Sequence, residues 1–234
     1  MLKIRVFFFL ILASVTGIGA EEDLKNLEQS AAAGDAAAQL ALGLRYEQGE
    51  GVPRDELKAT EWFLKSAKQG NAQAQFYIGA LFADGQGVPK DERKAIEWYE
   101  KSAQQGMVDA QFNLGVMHAS GRGVPKNPWK AVEWYEKAAF QGLTRAQFNL
   151  ALMYLAGQGV PKDVLRAYAW FVVAAADGDP AAIKNRDFME KQFDEKTKTD
   201  TKADTLTGRK PVARADMKAE GRKIAEGIAA KIKR

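Results

Sequence analysis

The chain has 234 residues, 46% of them hydrophobic and 27% charged, enough for one extended domain with its own core. Cysteine is absent and His118 is the single histidine, so disulfides, thiolate metal sites and histidine-pair zinc sites are excluded, and any Ser-His-Asp arrangement would hang on one residue. The formal net charge of +4 is unevenly spread: residues 21–193 carry 20 Lys and Arg against 23 Asp and Glu, whereas residues 194–234 carry 12 against 7.

At the start of the chain, Lys3 and Arg5 precede an apolar run from Val6 to Val15 and the small residues Gly17, Gly19 and Ala20. The stretch from Val6 to Ala20 falls short of the roughly 20 residues that a bilayer-spanning helix needs. Residues 1–20 therefore read as a cleaved secretory signal, with cleavage expected after Ala20, and the mature chain as periplasmic or secreted with no transmembrane segment. Residues 21–34 read as an N-terminal capping helix with Leu27 and Ala31 on its apolar stripe.

Between residues 35 and 178 one motif is written four times. Trp62, Trp98, Trp134 and Trp170 recur every 36 residues, and Gly51-Val52-Pro53 returns at Gly87, Gly123 and Gly159 in the same step. A period in the thirties that holds two helical patterns predicts a helix-turn-helix solenoid, because a single pair cannot bury its own apolar face. Helix A is expected from Asp35 to about Gln48 and helix B from Asp55, with Asp35, Asn71 and Asp179 as caps at the A starts, and Met107 and Leu143 unable to cap. Asn127-Pro128 is a strong helix start. The intervening G-x-G-V-P lacks the lysine-serine ending of a phosphate loop and reads as a turn.

On helix B, Ala59, Trp62, Phe63, Ser66 and Ala67 fall on one stripe, so the register tryptophans are expected in the core rather than stacking on sugars. On helix A, comparison of the four copies separates a constant side (Ala38, Gln39, Leu42, Gly43 and the aromatic place at Tyr46) from a changing side. Gly43, Gly79 and Gly115 in mid-helix imply close backbone contact, since each costs about 1 kcal/mol relative to alanine. The changing side is free of packing duty in this reading, and Gln73, Tyr77, Asp109, Asn113, Arg145 and Asn149 are its candidate partner-binding residues, the alternative being a merely solvated face. His118 takes the place of Tyr46, Phe82 and Tyr154 and reads as a core aromatic substitute rather than a catalytic base.

Residues 179–193 read as a C-terminal capping helix, with Ile183, Phe188, Met189 and Phe193 covering Ala169 and Val173 of the last helix B. Residues 194–234 read as a basic and mostly disordered tail, within which residues 214–234 could form a helix with Met217, Ile224, Ile228 and Ile232 on one face. Gly221 and Gly227 weaken that helix.

The string AQFYIGALFADGQGVPKDERKAIEWYEKSAQQGMVDAQFNLG resembles the Sel-one-like repeat family, relatives of the tetratricopeptide repeats, and the resemblance extends over residues 34–178. It implies an all-α, right-handed α-solenoid of four helix-turn-helix repeats with terminal capping helices. It also implies a role in protein-protein interaction, often in the bacterial envelope. Some cysteine-rich members are linked to β-lactam binding or hydrolysis, and this chain lacks their cysteines. The expectation is a non-enzymatic scaffold, without cofactor or metal, that holds another protein or peptide in its groove. The alternatives are an envelope hydrolase of β-lactam or peptidoglycan-like substrates and an anionic-surface binder acting through residues 194–234. Nucleic acid is not expected as the partner of an exported chain.

Overall fold

The computed structural model describes residues 17–207 and 217–232, with side chains described for 22–195 and 217–232; most of the expected signal, residues 1–16, lies outside the described residues, as do tail residues 208–216 and 233–234. The described elements are all helices: α1 (Gly17–Ala32), α2 (Ala36–Gln48), α3 (Glu56–Lys68), α4 (Ala72–Asp84), α5 (Glu92–Gln104), α6 (Val108–Ser120), α7 (Pro128–Phe140), α8 (Thr144–Ala156), α9 (Val164–Ala176), α10 (Pro180–Thr207) and α11 (Met217–Ile232). From α2 to α9 they alternate as helices A and B of four repeats, an all-α solenoid. The chain divides into two compact units, residues 1–74 and 75–234.

In the first unit, Asp35 starts α2 by accepting a hydrogen bond from the Ala38 amide at 2.7 Å. The helix ends at Gly49, whose φ of 74° is the left-handed conformation that a side chain disfavours. After the turn, the Asp55 amide donates to the Tyr46 carbonyl at 2.9 Å, which sets where α3 begins. Ala31, Ala38 and Leu42 form the core with Leu24, Leu27, Tyr46 and Trp62 packed against it. A Cβ added to Gly43 would lie 2.6 Å from Phe63 Cδ1, so the ring rests directly on the α2 backbone. That contact offsets the helix cost of the glycine.

The second unit repeats the device: a Cβ on Gly79 would meet Tyr99, and one on Gly115 would meet Tyr135, each at 2.6 Å. A buried glutamine accompanies it. Gln111 Nε2 donates to the Ala103 carbonyl at 3.2 Å while its Oε1 accepts from Gln141 Nε2 at 2.8 Å, so one amide ties its helix A both to the preceding helix B and to the end of its own. Gln105 donates in the same way to Gln75 at 2.8 Å. As expected from their side chains, Met107 and Leu143 start α6 and α8 without a side-chain cap.

The tryptophan expectation needs correction. Trp62, Trp98 and Trp134 are half-buried, because the lysine three residues on lies over each ring, with Lys65, Lys101 and Lys137 Nζ at 3.8, 4.2 and 4.1 Å from the ring centroids. Only Trp170 is a true core residue, 3% exposed and edge-on to Phe140. Its lysine position is Val173.

At the C-terminal end, Asp179 caps α10 through the Ala182 amide at 2.7 Å, and Met189 and Phe193 are buried. Phe188 is 62% exposed, so it is not part of the cap as expected. The helix continues to Thr207, where the polar sequence read as disordered; a helix already anchored by Met189 and Phe193 extends without a new nucleation cost. The last helix, α11, is no loose tail: Met217, Ile228 and Ile232 pack against the core around α9. Gly221 is what permits this, since a Cβ there would collide with the Tyr168 ring. Arg222 and Lys218 complete the junction by pairing with Glu190 at 3.0 and 3.5 Å. Glu190 also accepts from the Tyr168 hydroxyl at 2.6 Å. Burial pushes the Tyr168 phenol up to about 12, with the Glu190 carboxylate acting in the same direction. The α11 contact explains why α9 presents Ala169, Val172 and Val173 where α7 presents Glu133, Glu136 and Lys137.

Candidate functional site

Of the candidate residues on helices A, Arg145 is exposed and Gln73, Tyr77, Asp109, Asn113 and Asn149 are half-buried. Gln73 belongs to the first unit and the other five to the second. Asp109 on α6 and Arg145 on α8 are brought together as an ion pair, and the Arg145 guanidinium also lies 4.4 Å from the centroid of the Phe112 ring. Side chains of both residues remain partly exposed, which leaves hydrogen-bonding capacity for a partner. Tyr77 is half-buried and edge-on to Phe76 at 5.8 Å.

Asn113 and Asn149 are half-buried, each beside a buried tyrosine of the preceding helix B. Asn113 lies near the hydroxyl of Tyr99 and Asn149 near that of Tyr135, each acting to lower the phenol pKa against the larger effect of burial. Both phenols are buried, which drives their pKa upward, to about 12 for Tyr135. The same step of 14 residues leads from Phe171, which has no hydroxyl, to Asn185, whose side-chain amide donates to the Ala181 carbonyl of its own helix at 2.8 Å.

Leu152 on α8 was not among the candidate residues. Leu152 is 40% exposed, and Phe188 holds the same register one repeat on at 62% exposed. The signal was present in the 36-residue step itself, which α10 continues past the fourth repeat. Leu152 shares α8 with Arg145, whose ion pair with Asp109 is also partly exposed.

His118 lies where expected, in the core, 4% exposed, with its Nδ1 lacking a hydrogen-bond partner. Burial pushes its pKa below the usual imidazole range, and the nearby Lys130 charge acts the same way. Among the described residues, no cluster of acidic, histidine or cysteine side chains could hold a metal ion, and no helix is long and apolar enough to cross a membrane.

No curated protein matches the chain. Among solved structures it is similar to a protective antigen of uropathogenic Escherichia coli displaying an SLR fold, with 37% identity and a TM-score of 0.71 over 72% of this chain. The chain spans only 36% of that antigen. A Sel1 repeat protein from Oxalobacter formigenes is 36% identical with a TM-score of 0.67, over 70% of this chain and 68% of the other. The Sel1 repeat model matches residues 36–71, 72–107, 108–143 and 144–179 back to back, and the chain belongs to the Sel1 repeat family.

Proposed function

We propose that the protein is a non-enzymatic scaffold, exported to the periplasm or beyond, which holds an extended segment of a partner protein against helices α6, α8 and α10. Sel1 repeat proteins are generally protein-protein interaction scaffolds, and this reading places the contact. The observation that carries it is that Leu152 on α8 and Phe188 on α10, one 36-residue step apart, are exposed apolar side chains, and that Arg145, on the same helix as Leu152, forms a partly exposed ion pair with Asp109. Export rests on Lys3, Arg5 and the apolar run that follows.

Photocrosslinking in intact cells, with a benzophenone side chain at Leu152 or at Lys94 on the opposite helix set, tests both parts at once. Leu152 should capture a discrete partner, Arg145→Glu should abolish that capture, and the captured chain should have lost residues 1–20 by mass. Capture that is equal from both positions refutes the surface, and a captured chain that retains residues 1–20 refutes export.

A further inference from the structure

Each repeat has cations where its turn enters helix B, and three of the four repeats neutralise at least one of them locally. Lys58 pairs with Asp55 at 3.8 Å, Lys94 with Asp91 at 3.4 Å and Arg166 with Asp163 at 3.3 Å. One place earlier, Arg54 pairs with Glu56 at 2.6 Å and Lys90 with Glu92 at 3.2 Å. The third repeat breaks both pairings, because Asn127 and Pro128 stand where the carboxylates would be. Asn127 still caps α7 through the Lys130 amide at 3.1 Å, so the helix start is kept while the charge is dropped. Lys126 and Lys130 are exposed and carry no ion pair among the described residues.

Between these two lysines stands Trp129, the one tryptophan outside the repeat register and, at 73%, the most exposed large apolar side chain among the described residues. The following turn adds to the same place. A Cβ on Gly159 would run into the Pro128 carbonyl and would lie 2.8 Å from the Trp129 amide nitrogen, so the turn that carries Pro161 and Lys162 rests on the start of α7. Pro125, Pro161 and Lys162 are exposed there, and Lys162 has no carboxylate two residues on, its neighbour being Val164.

We propose that this edge, formed by Lys126, Trp129, Lys130 and Lys162, docks on an anionic phospholipid surface. An indole flanked by unneutralised lysines and prolines has the chemistry of an interfacial anchor: the ring settles at headgroup level and the ammonium groups lie among the phosphates. Stacking on a sugar polymer would call for carboxylate or amide groups to bind hydroxyls, and here the Asn127 side chain is engaged as a cap. An acidic protein is the competing occupant, and the experiment decides against it or for it. The inference is independent of the helix A surface and of residues 194–234.

The readout is cosedimentation of the isolated full chain with phosphatidylglycerol-phosphatidylcholine vesicles, minus that with phosphatidylcholine vesicles alone. Subtraction removes any purely apolar insertion. The parent chain should prefer the anionic vesicles. Each of K126E, K130E and K162E should lower that preference at least about fivefold, and Trp129→Ser should lower partition without altering the helical circular dichroism. K223E with K231E, on exposed positions of α11, should change it by less than about twofold. A parent chain with no anionic preference overturns the proposal in favour of a protein partner. Preference that survives the three reversals but disappears with K223E and K231E overturns it in favour of the tail.

Discussion

In the third repeat, Gln141 donates to Gln111 at 2.8 Å and Trp134 stays half-buried beneath Lys137. Thirty-six residues later Asp177 stands in place of Gln141, Val173 in place of Lys137, and Trp170 is 3% exposed. A carboxylate cannot donate, so Gln147 Oε1 is left buried without a partner, and Asp177 accepts from the Thr144 hydroxyl at 2.7 Å instead. The two repeats share one register, yet the same position performs different work, because the third is followed by another copy and the fourth is covered by α11 and α10. Sequence position sets the backbone, and the neighbour sets the energetics.

The sharpest way to break this contrast is to delete the two indoles. Trp170→Ala should cost roughly 3–5 kcal/mol by leaving a cavity under α11, and Trp134→Ala about half as much, since its ring is already partly in water. Equal shifts in urea midpoint would show that the covered and uncovered repeats are energetically alike. A smaller effect is expected at the helix A glycine. Gly115→Ala drives a methyl into Tyr135 and should cost about 1–3 kcal/mol despite the better helix propensity of alanine, whereas the fourth repeat already carries Ala151. A rise in melting temperature for Gly115→Ala would mean that the ring moves away freely. The smallest expected change is a gain: Asp177→Gln should restore the donor to Gln147 and stabilise by about 1 kcal/mol. A lower urea midpoint would show that the Thr144 bond matters more than the orphaned oxygen.

Much of this was legible in the residues. The four-fold step, the helix starts at Asp55, Asp91, Asn127 and Asp163, and the close approach at Gly43 follow from comparing copies within the chain. The tryptophan environment was legible too, in a Trp-x-x-Lys spacing that recurs three times and lapses at Val173, but a packing stripe drawn on one helix ignores what a long side chain on the same helix can cover. The placement of Asn113 and Asn149 beside Tyr99 and Tyr135 was hidden because those tyrosines sit on a different helix, and no periodicity within a single helix reports a contact between two. Gly221 read as a weakness for the opposite reason: its cost is local, and the Tyr168 contact that compensates it is 53 residues away in sequence.

The apolar back of α9 has a bearing on how such an array can grow. A copy of residues 144–179 inserted among the earlier units would carry Val172 and Val173 to a place where no terminal helix shields them, leaving a greasy seam in mid-array. Lengthening by tandem duplication is therefore tolerable only ahead of the final copy, which remains the terminus however many siblings accumulate before it.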